Sequence, residues 1–212
     1  MDIVDPRVET YIASLHARYD EPVLLEMEAE ARALGFPIVG RNVGVTLSML
    51  AASVGAKRVF ELGSGFGYSA YWFARATGAD GEIHLTDGDA ANERKAADYL
   101  GRAGVWPRVR YHVGDALTSF AEVPGDFDVV YDDIDKQGYP DAWRAASLRV
   151  RVGGLYICDN TLWSGRVPPD GEAPDDVTGA IREHNAMVAG DERFVTTLLP
   201  IRDGVLVAVR IA

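Results

Sequence analysis

From residue 57 onward, short runs of β-branched and aromatic residues alternate with longer stretches of helical periodicity, and few folds can carry that alternation. Parallel strands joined by crossover helices produce it; hairpin-linked sheets need only turns between strands. Strands are expected at "RVFEL" (58–62), "EIHLT" (82–86), "RVRYHV" (108–113), "DVVYD" (128–132) and "GLYICD" (154–159), with helices near 68–77, 89–103 and 139–150. The strands read as near-continuous apolar runs, which implies a sheet covered on both faces. A further helix is expected near 175–189. After it, "RFVTTLLP" and "GVLVAVRI" are separated by little more than "IRD", too short for a crossover, so they should form an antiparallel hairpin at a sheet edge. The expectation is one doubly wound α/β domain over 1–212, with helices over 1–54 and the α/β core over 55–212.

Composition narrows the partners. With 48% hydrophobic and 25% charged residues, the 212-residue chain has ample apolar surface for one core. A net charge of -11 repels nucleic-acid phosphates and anionic membranes. No run approaches the ~18 apolar residues of a membrane span. Cys158 is the only cysteine, so neither an intrachain disulfide nor a cysteine zinc cage can form. The opening "MDIVDPRVET" carries acids where a secretory signal carries bases, and a cytoplasmic address is expected.

Two sites stand out at strand ends. In "VFELGSGFGYSA", Glu61, Gly63, Gly65 and Gly67 occupy the first strand-to-helix turn, where glycines let a ligand approach the main chain. The spacing G-x-G-x-G departs from the G-x-G-x-x-G of dinucleotide sites, so another nucleoside-like ligand is favoured. Asp87, at the end of "LTDGD", is placed to accept from a ribose diol, while Asp89 suits a helix N-cap. Asp115 and the amide of Ala116, in "VGDA", are candidates for reading an adenine; capping a helix is the competing role for Asp115.

The second site joins "VVYDDIDKQGYP" to "YICDNTLWSGRV". If these two strands are neighbours, their tips lie ~4.8 Å apart. Asp133, Asp159 and the amide oxygen of Asn160 would then share a hard cation: Mg²⁺ first, with Ca²⁺ or Mn²⁺ as alternatives. Asp132 and Asp133 must point to opposite faces, and Asp133, at the strand exit, is the ligand candidate. Asp135 is expected to orient Lys136 or to cap the next helix. Lys136, beside a cation, would have its pKa lowered and suit a general base. The Pro/Gly-rich segment around Gly171 reads equally as a surface connection or as a lid, and Trp163 as pocket wall or core. The four histidines show no ligand spacing.

In this order, "ELGSGFGYSA", "DxDKxxY" and "DNxLWSGRV" resemble the cation-dependent O-methyltransferases that use S-adenosylmethionine, the group of the catechol and caffeoyl-CoA enzymes. The resemblance runs from about residue 38 onward. It implies a seven-stranded sheet with a reversed last strand, N-terminal helical additions and a homodimer. It further implies Asp133, Asp159 and Asn160 as metal ligands and Lys136 as base. Glu61, Gly63 and Ser69 would hold the methionine part, Asp87 the ribose, and Asp115 with Ala116 the adenine. Val39 would line the pocket, and Asp133 would also touch the cofactor. Asp132 stands where relatives usually have an apolar residue, and Gly138 where many have asparagine. The expected acceptor is a small phenolic or vicinal diol. A modified tRNA uridine and a non-catalytic nucleoside-binding module are the alternatives, and a nicotinamide dehydrogenase is disfavoured by the glycine spacing.

Overall fold

The computed structural model describes residues 4–169 and 174–212. Seven strands form one sheet in the order β3-β2-β1-β4-β5-β7-β6: β1 Arg58–Leu62, β2 Glu82–Asp87, β3 Val109–Val113, β4 Phe127–Asp132, β5 Val150–Cys158, β6 Phe194–Leu199 and β7 Val205–Arg210. β1 to β5 pair in parallel, and β7 lies antiparallel between β5 and β6. The helices are α1 Pro6–Leu15, α2 Pro22–Leu34, α3 Gly40–Ser53, α4 Tyr68–Thr77, α5 Ala90–Arg102, α6 Ala116–Glu122, α7 Tyr139–Ala146 and α8 Asp176–Ala189. The expected doubly wound sheet with a reversed last strand is therefore the observed one. The segment around Gly171 lies outside the described residues.

Alternation along each strand sorts side chains into two cores, since successive residues face opposite sides of the sheet. In β1, Val59 packs into the core shared with α2, α3, α4 and α5, while Phe60 and Leu62 face α6, α7 and α8. Phe60 anchors the second core with edge-on contacts to Phe120 and Phe127, at 4.8 and 5.2 Å between ring centres. Among the described residues, no helix is long and apolar enough to cross a membrane.

Two boundaries differ from expectation. The helix expected over 139–150 stops at Ala146, and β5 starts at Val150, four residues before "GLYICD". Gly153 and Gly154 look like a turn in sequence but lie inside β5, where its register against β4 shifts between Phe127 and Val129. A Cβ on Gly154 would come within 2.8 Å of the Asp128 carbonyl oxygen, so this glycine serves a close approach of two strands.

Strand direction also places the sites. The carboxyl ends of β1, β2, β4 and β5 share one edge of the sheet, the edge at which doubly wound folds bind ligands. β6 runs antiparallel to β7 and hence in the same sense as β5, so the turn after β6 falls on that same edge.

Candidate active site

The β1–α4 turn is fastened to the end of β2. Gly63 N donates to Thr86 Oγ1 at 3.0 Å, Thr86 Oγ1 donates to the Glu61 carbonyl at 2.9 Å, and Gly65 N donates to Asp87 Oδ2 at 3.1 Å. Gly63 has φ of 80°, and a Cβ there would sit 2.5 Å from the Asp133 carbonyl oxygen; only glycine lets this turn close onto the tip of β4. Glu61 is buried at the end of β1, and the Ser69 hydroxyl donates to its Oε1. Its Oε2 is buried without a partner. Burial, helped by the charge of Asp133 and opposed by Ser69, pushes the Glu61 carboxyl up to about 8. A buried, half-satisfied carboxyl fits a cationic ligand group such as an amino acid's ammonium.

The other nucleoside-site candidates line one cavity of about 1000 Å³, together with Val39, Gly63 and Ser69: Asp87 from the end of β2, and Asp115 and Ala116 from the start of α6. Asp89 caps α5 as expected, accepting from Ala91 N at 2.8 Å. Asp115 also caps its helix, its Oδ1 accepting from Thr118 N at 2.8 Å. The two roles weighed for it are compatible, because one oxygen caps and the other remains for a ligand. Glu61 lies behind this lining, reached through Ser69.

The parallel register pairs Asp132 with Cys158, so the chain leaves β4 and β5 at the same level. Asp133 and Asp159 both face the cavity with Asn160. Burial and the neighbouring Asp133 charge push Asp159 up to about 7, and burial pushes Asp133 up as well. Asn160 adopts φ of 53° and donates its side-chain N–H to Asp203 Oδ2 at 3.3 Å, which turns its carbonyl oxygen to other use. Two repelling carboxylates beside an amide oxygen are a hard donor set that fits a divalent cation. Lys136 Nζ donates to Asp133 Oδ1 at 2.9 Å and to the Ile134 carbonyl at 3.2 Å. Burial lowers its pKa, yet the Asp133 carboxylate outweighs burial and the net direction is up; the lowering expected of this lysine belongs to the cation-bound site. Asp133, rather than Asp135, orients this lysine, and Asp135 makes no side-chain cap to the turn that follows it.

Trp163 lines the cavity and, partly buried, also packs against the second core, so the two roles weighed for it coexist. The sequence reading missed several groups here: Phe36, Pro37 and Ile38 on one wall, Tyr139, whose hydroxyl donates to the Asp159 carbonyl at 2.9 Å, and Arg202 and Asp203 in the β6–β7 turn. Asp203 accepts from Asn160 Nδ2 and from Ser164 N, and its carbonyl accepts from Leu162 N. A charged pair between two apolar strands was the available signal; only the strand order shows which edge it reaches.

The sequence profile of the O-methyltransferase family matches residues 15–211. A catechol O-methyltransferase of Niastella koreensis is 31% identical over 198 residues, covering 91% of this chain and 89% of that protein. The chain belongs to the O-methyltransferase family. The match begins well before residue 38 and takes in α2 and α3. Tricin synthase 1 of Oryza sativa subsp. japonica is 31% identical over 88% of this chain and 80% of its own length. Among solved structures, an O-methyltransferase from Bacillus cereus in complex with SAH superposes with a TM-score of 0.86 at 27% identity, covering 96% of this chain and 97% of that one. One from Streptomyces achromogenes, involved in tomaymycin synthesis and solved with SAM, gives 0.83 at 28% identity over 91% of each chain.

In this O-methyltransferase, Asp132 points to the opposite face of the sheet from Asp133, as strand alternation requires. It is fully buried against Tyr156, Cys158 and His184. Burial pushes the Asp132 carboxyl up to about 7, against the Tyr156 hydroxyl that lowers it, and pushes His184 down to about 4, so His184 is uncharged near neutral pH. Tyr156 donates its hydroxyl to Asp132 Oδ2 (2.7 Å) and stands 2.9 Å from His184 Nε2; His184 Nδ1 lies 3.1 Å from Asn185 Oδ1, and Asn185 Nδ2 donates to the Thr161 carbonyl (2.9 Å). The chain thus links the residue before Asp133 to the residue after Asn160. Asp132, Cys158 and His184 bring ligand atoms within 4.8 Å of one another, but Tyr156 already joins the aspartate to the histidine. His84 and His112 form a stacked pair with their nitrogens 3.0 Å apart, away from the cavity.

Folding moves a proton within this network. Between pH 4 and 6.5 the unfolded chain holds it on histidine, with aspartate ionised; the folded chain holds it on Asp132. The proton count is equal in that window, so the pair adds no pH dependence to stability there. As the pH rises from 6.5 towards 7, the folded state binds more protons and the pair's contribution declines. Tyr156→Phe removes the central hydroxyl and strands two buried polar groups, so it should lower stability by about 2–4 kcal/mol in denaturant unfolding. The triple change Asp132→Ile, Tyr156→Phe, His184→Phe should recover most of that loss. A single change that costs nothing would contradict the network.

Proposed function

We propose that the chain transfers the methyl group of S-adenosylmethionine to one hydroxyl of a catechol-like aromatic diol, with a divalent cation held by Asp133, Asp159 and Asn160. The observation that carries this reading is the opening of both sites onto one cavity, which holds the hard-oxygen cluster within the same walls as the glycine turn, Asp87 and Asp115. The names of the Niastella koreensis and Oryza sativa relatives, and the SAM and SAH in the solved structures, support the donor and the aromatic acceptor. When bound, the cation supplies positive charge that stabilises the ionised form of an adjacent hydroxyl. Magnesium is the first choice, because every donor is a hard oxygen.

The protein's own groups do the rest by position and charge. Glu61 Oε2 receives the ammonium of the donor's methionine part, Asp87 the ribose hydroxyls, and Asp115 with the Ala116 amide the adenine; Gly63 and Ser69 shape the passage between them, with Val39 on the wall. Lys136 Nζ takes the acceptor's proton once the Asp133 carboxylate turns to another partner, since that carboxylate is what holds it as ammonium. The acceptor oxygen then bonds to the methyl carbon while the carbon–sulfur bond breaks, leaving S-adenosylhomocysteine. Trp163 and Ile38 wall in the ring and exclude water, so proximity and a preorganised field supply the rate.

We also propose a cytoplasmic homodimer. α1 has no buried residue, and Val8, Tyr11, Ile12 and Leu15 form an exposed apolar stripe at helical spacing, Tyr11 being 65% exposed.

Three measurements test these readings. Methyl transfer to catechol in magnesium should fall by at least ~100-fold in EDTA or in Asp159→Asn. Full activity in EDTA, or no transfer to any of a panel of diols, would overturn the proposal. At pH 7, binding of S-adenosylmethionine should release up to ~1 proton as Glu61 ionises, seen calorimetrically as a buffer-dependent enthalpy that Glu61→Gln abolishes. A buffer-independent enthalpy would remove Glu61 from that role. Light scattering should give twice the chain mass, 23.0 kDa for the monomer, and Tyr11→Glu should halve it.

A further inference from the structure

We propose that Arg202 selects acceptors carrying an anionic substituent, a carboxylate on the ring bearing the two hydroxyls. This rests on the aromatic-diol reading above and adds the charge of the substrate to it. Arg202 stands in the β6–β7 turn on the binding edge of the sheet, and its side chain lines both the main cavity and an adjoining groove of about 640 Å³ behind Phe36, Pro37 and Ile38.

Among the described residues, two cations line the main cavity, Lys136 and Arg202. Lys136 is committed to Asp133. Arg41, in the adjoining groove, is committed to Glu28 and Asp20. Arg202 makes no ion pair among the described residues; it donates through Nη1 to the Ile38 carbonyl. Its neighbour Asp203 is spent on Asn160 and Ser164. A guanidinium has five N–H donors in a planar fork that matches a carboxylate, and one bond to a carbonyl leaves most of that fork open.

Two further observations place the open fork where an acceptor passes. Arg202 lines the same cavity as Trp163, Ile38, Asp133 and Asp159, and its neighbour Asp203 accepts from Asn160 Nδ2, so the guanidinium shares the walls of the acceptor end. Arg202 also adopts φ of 52°, a left-handed conformation that disfavours any residue with a Cβ. Glycine would occupy that backbone at no steric cost, so the arginine side chain is kept against local strain, a pattern concentrated at ligand sites. A ring held between Trp163 and Ile38, with its hydroxyls at Asp133 and Asp159, then meets Arg202 with its remaining substituent.

The test compares 3,4-dihydroxybenzoate with its neutral isostere 3,4-dihydroxybenzamide and with catechol. Binding to the full chain is measured by calorimetry in magnesium and S-adenosylhomocysteine, and turnover is followed separately. The benzoate should bind at least ~10-fold more tightly than the amide, as a charge-assisted pair allows, and the margin should shrink as salt is raised. Arg202→Gly, which suits the backbone, should abolish the margin, and Arg202→Lys should keep part of it. The readout is a ratio of two ligands on one preparation, so partial unfolding of a variant cancels. Equal affinity of benzoate and amide in the wild type, or a margin unchanged in Arg202→Gly, overturns the inference and leaves the diol reading standing. Failure of all three ligands to bind or be methylated overturns both.

Discussion

The repulsion between Asp133 and Asp159 is the constraint around which the rest of the molecule is arranged. Parallel pairing of β4 with β5 leaves no freedom to separate them, because Asp132 and Cys158 share a register position and the two chains exit side by side. Like charges at buried strand tips cost free energy unless something positive stands between or beside them. Lys136 and Arg202 supply part of the compensation from within the chain, and both carboxyls still lie above the ordinary aspartate range. The backbone around the pair is fastened at several points. Gly63 packs against the Asp133 carbonyl, Tyr139 binds the Asp159 carbonyl, and Asp203 braces Asn160.

The two faces of the sheet treat adjacent aspartates differently. Asp133 opens onto the cavity, with Lys136 beside it. Asp132, one residue earlier, is sealed in a hydrogen-bonded row that ends at Thr161. A row of satisfied polar groups in a low-dielectric core fixes geometry more sharply than apolar packing, since each bond has a direction. Here it ties β4, β5 and α8 together directly behind the acidic cluster. An apolar residue at position 132 would pack in the same place without specifying the orientation of α8 against the sheet.

Much of this was legible in the sequence, for physical reasons that can be named. The apolar runs gave the parallel strands because strands buried on both faces have no polar side to interrupt them. The short link between the last two runs required a hairpin; strand alternation put Asp132 and Asp133 on opposite faces, and the strand exit favoured Asp133 for the cavity side. What escaped depends on distant partners. Gly154 serves a close approach of β5 to β4 that only the fold brings about. His184 acquires its role through Tyr156 from Asp132, 52 positions upstream in the chain. Arg202 and Asp203 read as ordinary turn residues until the strand order brings them beside Asn160.

The placement of that turn has a consequence for how the enzyme is made. The carbonyls of Asp203 and Gly204 accept from Leu162 and Thr161, so the loop bearing Asn160 is clasped by a segment translated well after it. A nascent chain that has already assembled its glycine turn and both acidic tips still lacks the clasp, and β7 must slip between β5 and β6 before it forms. The loop bearing Asn160 therefore gains these bonds only once the closing hairpin has been made.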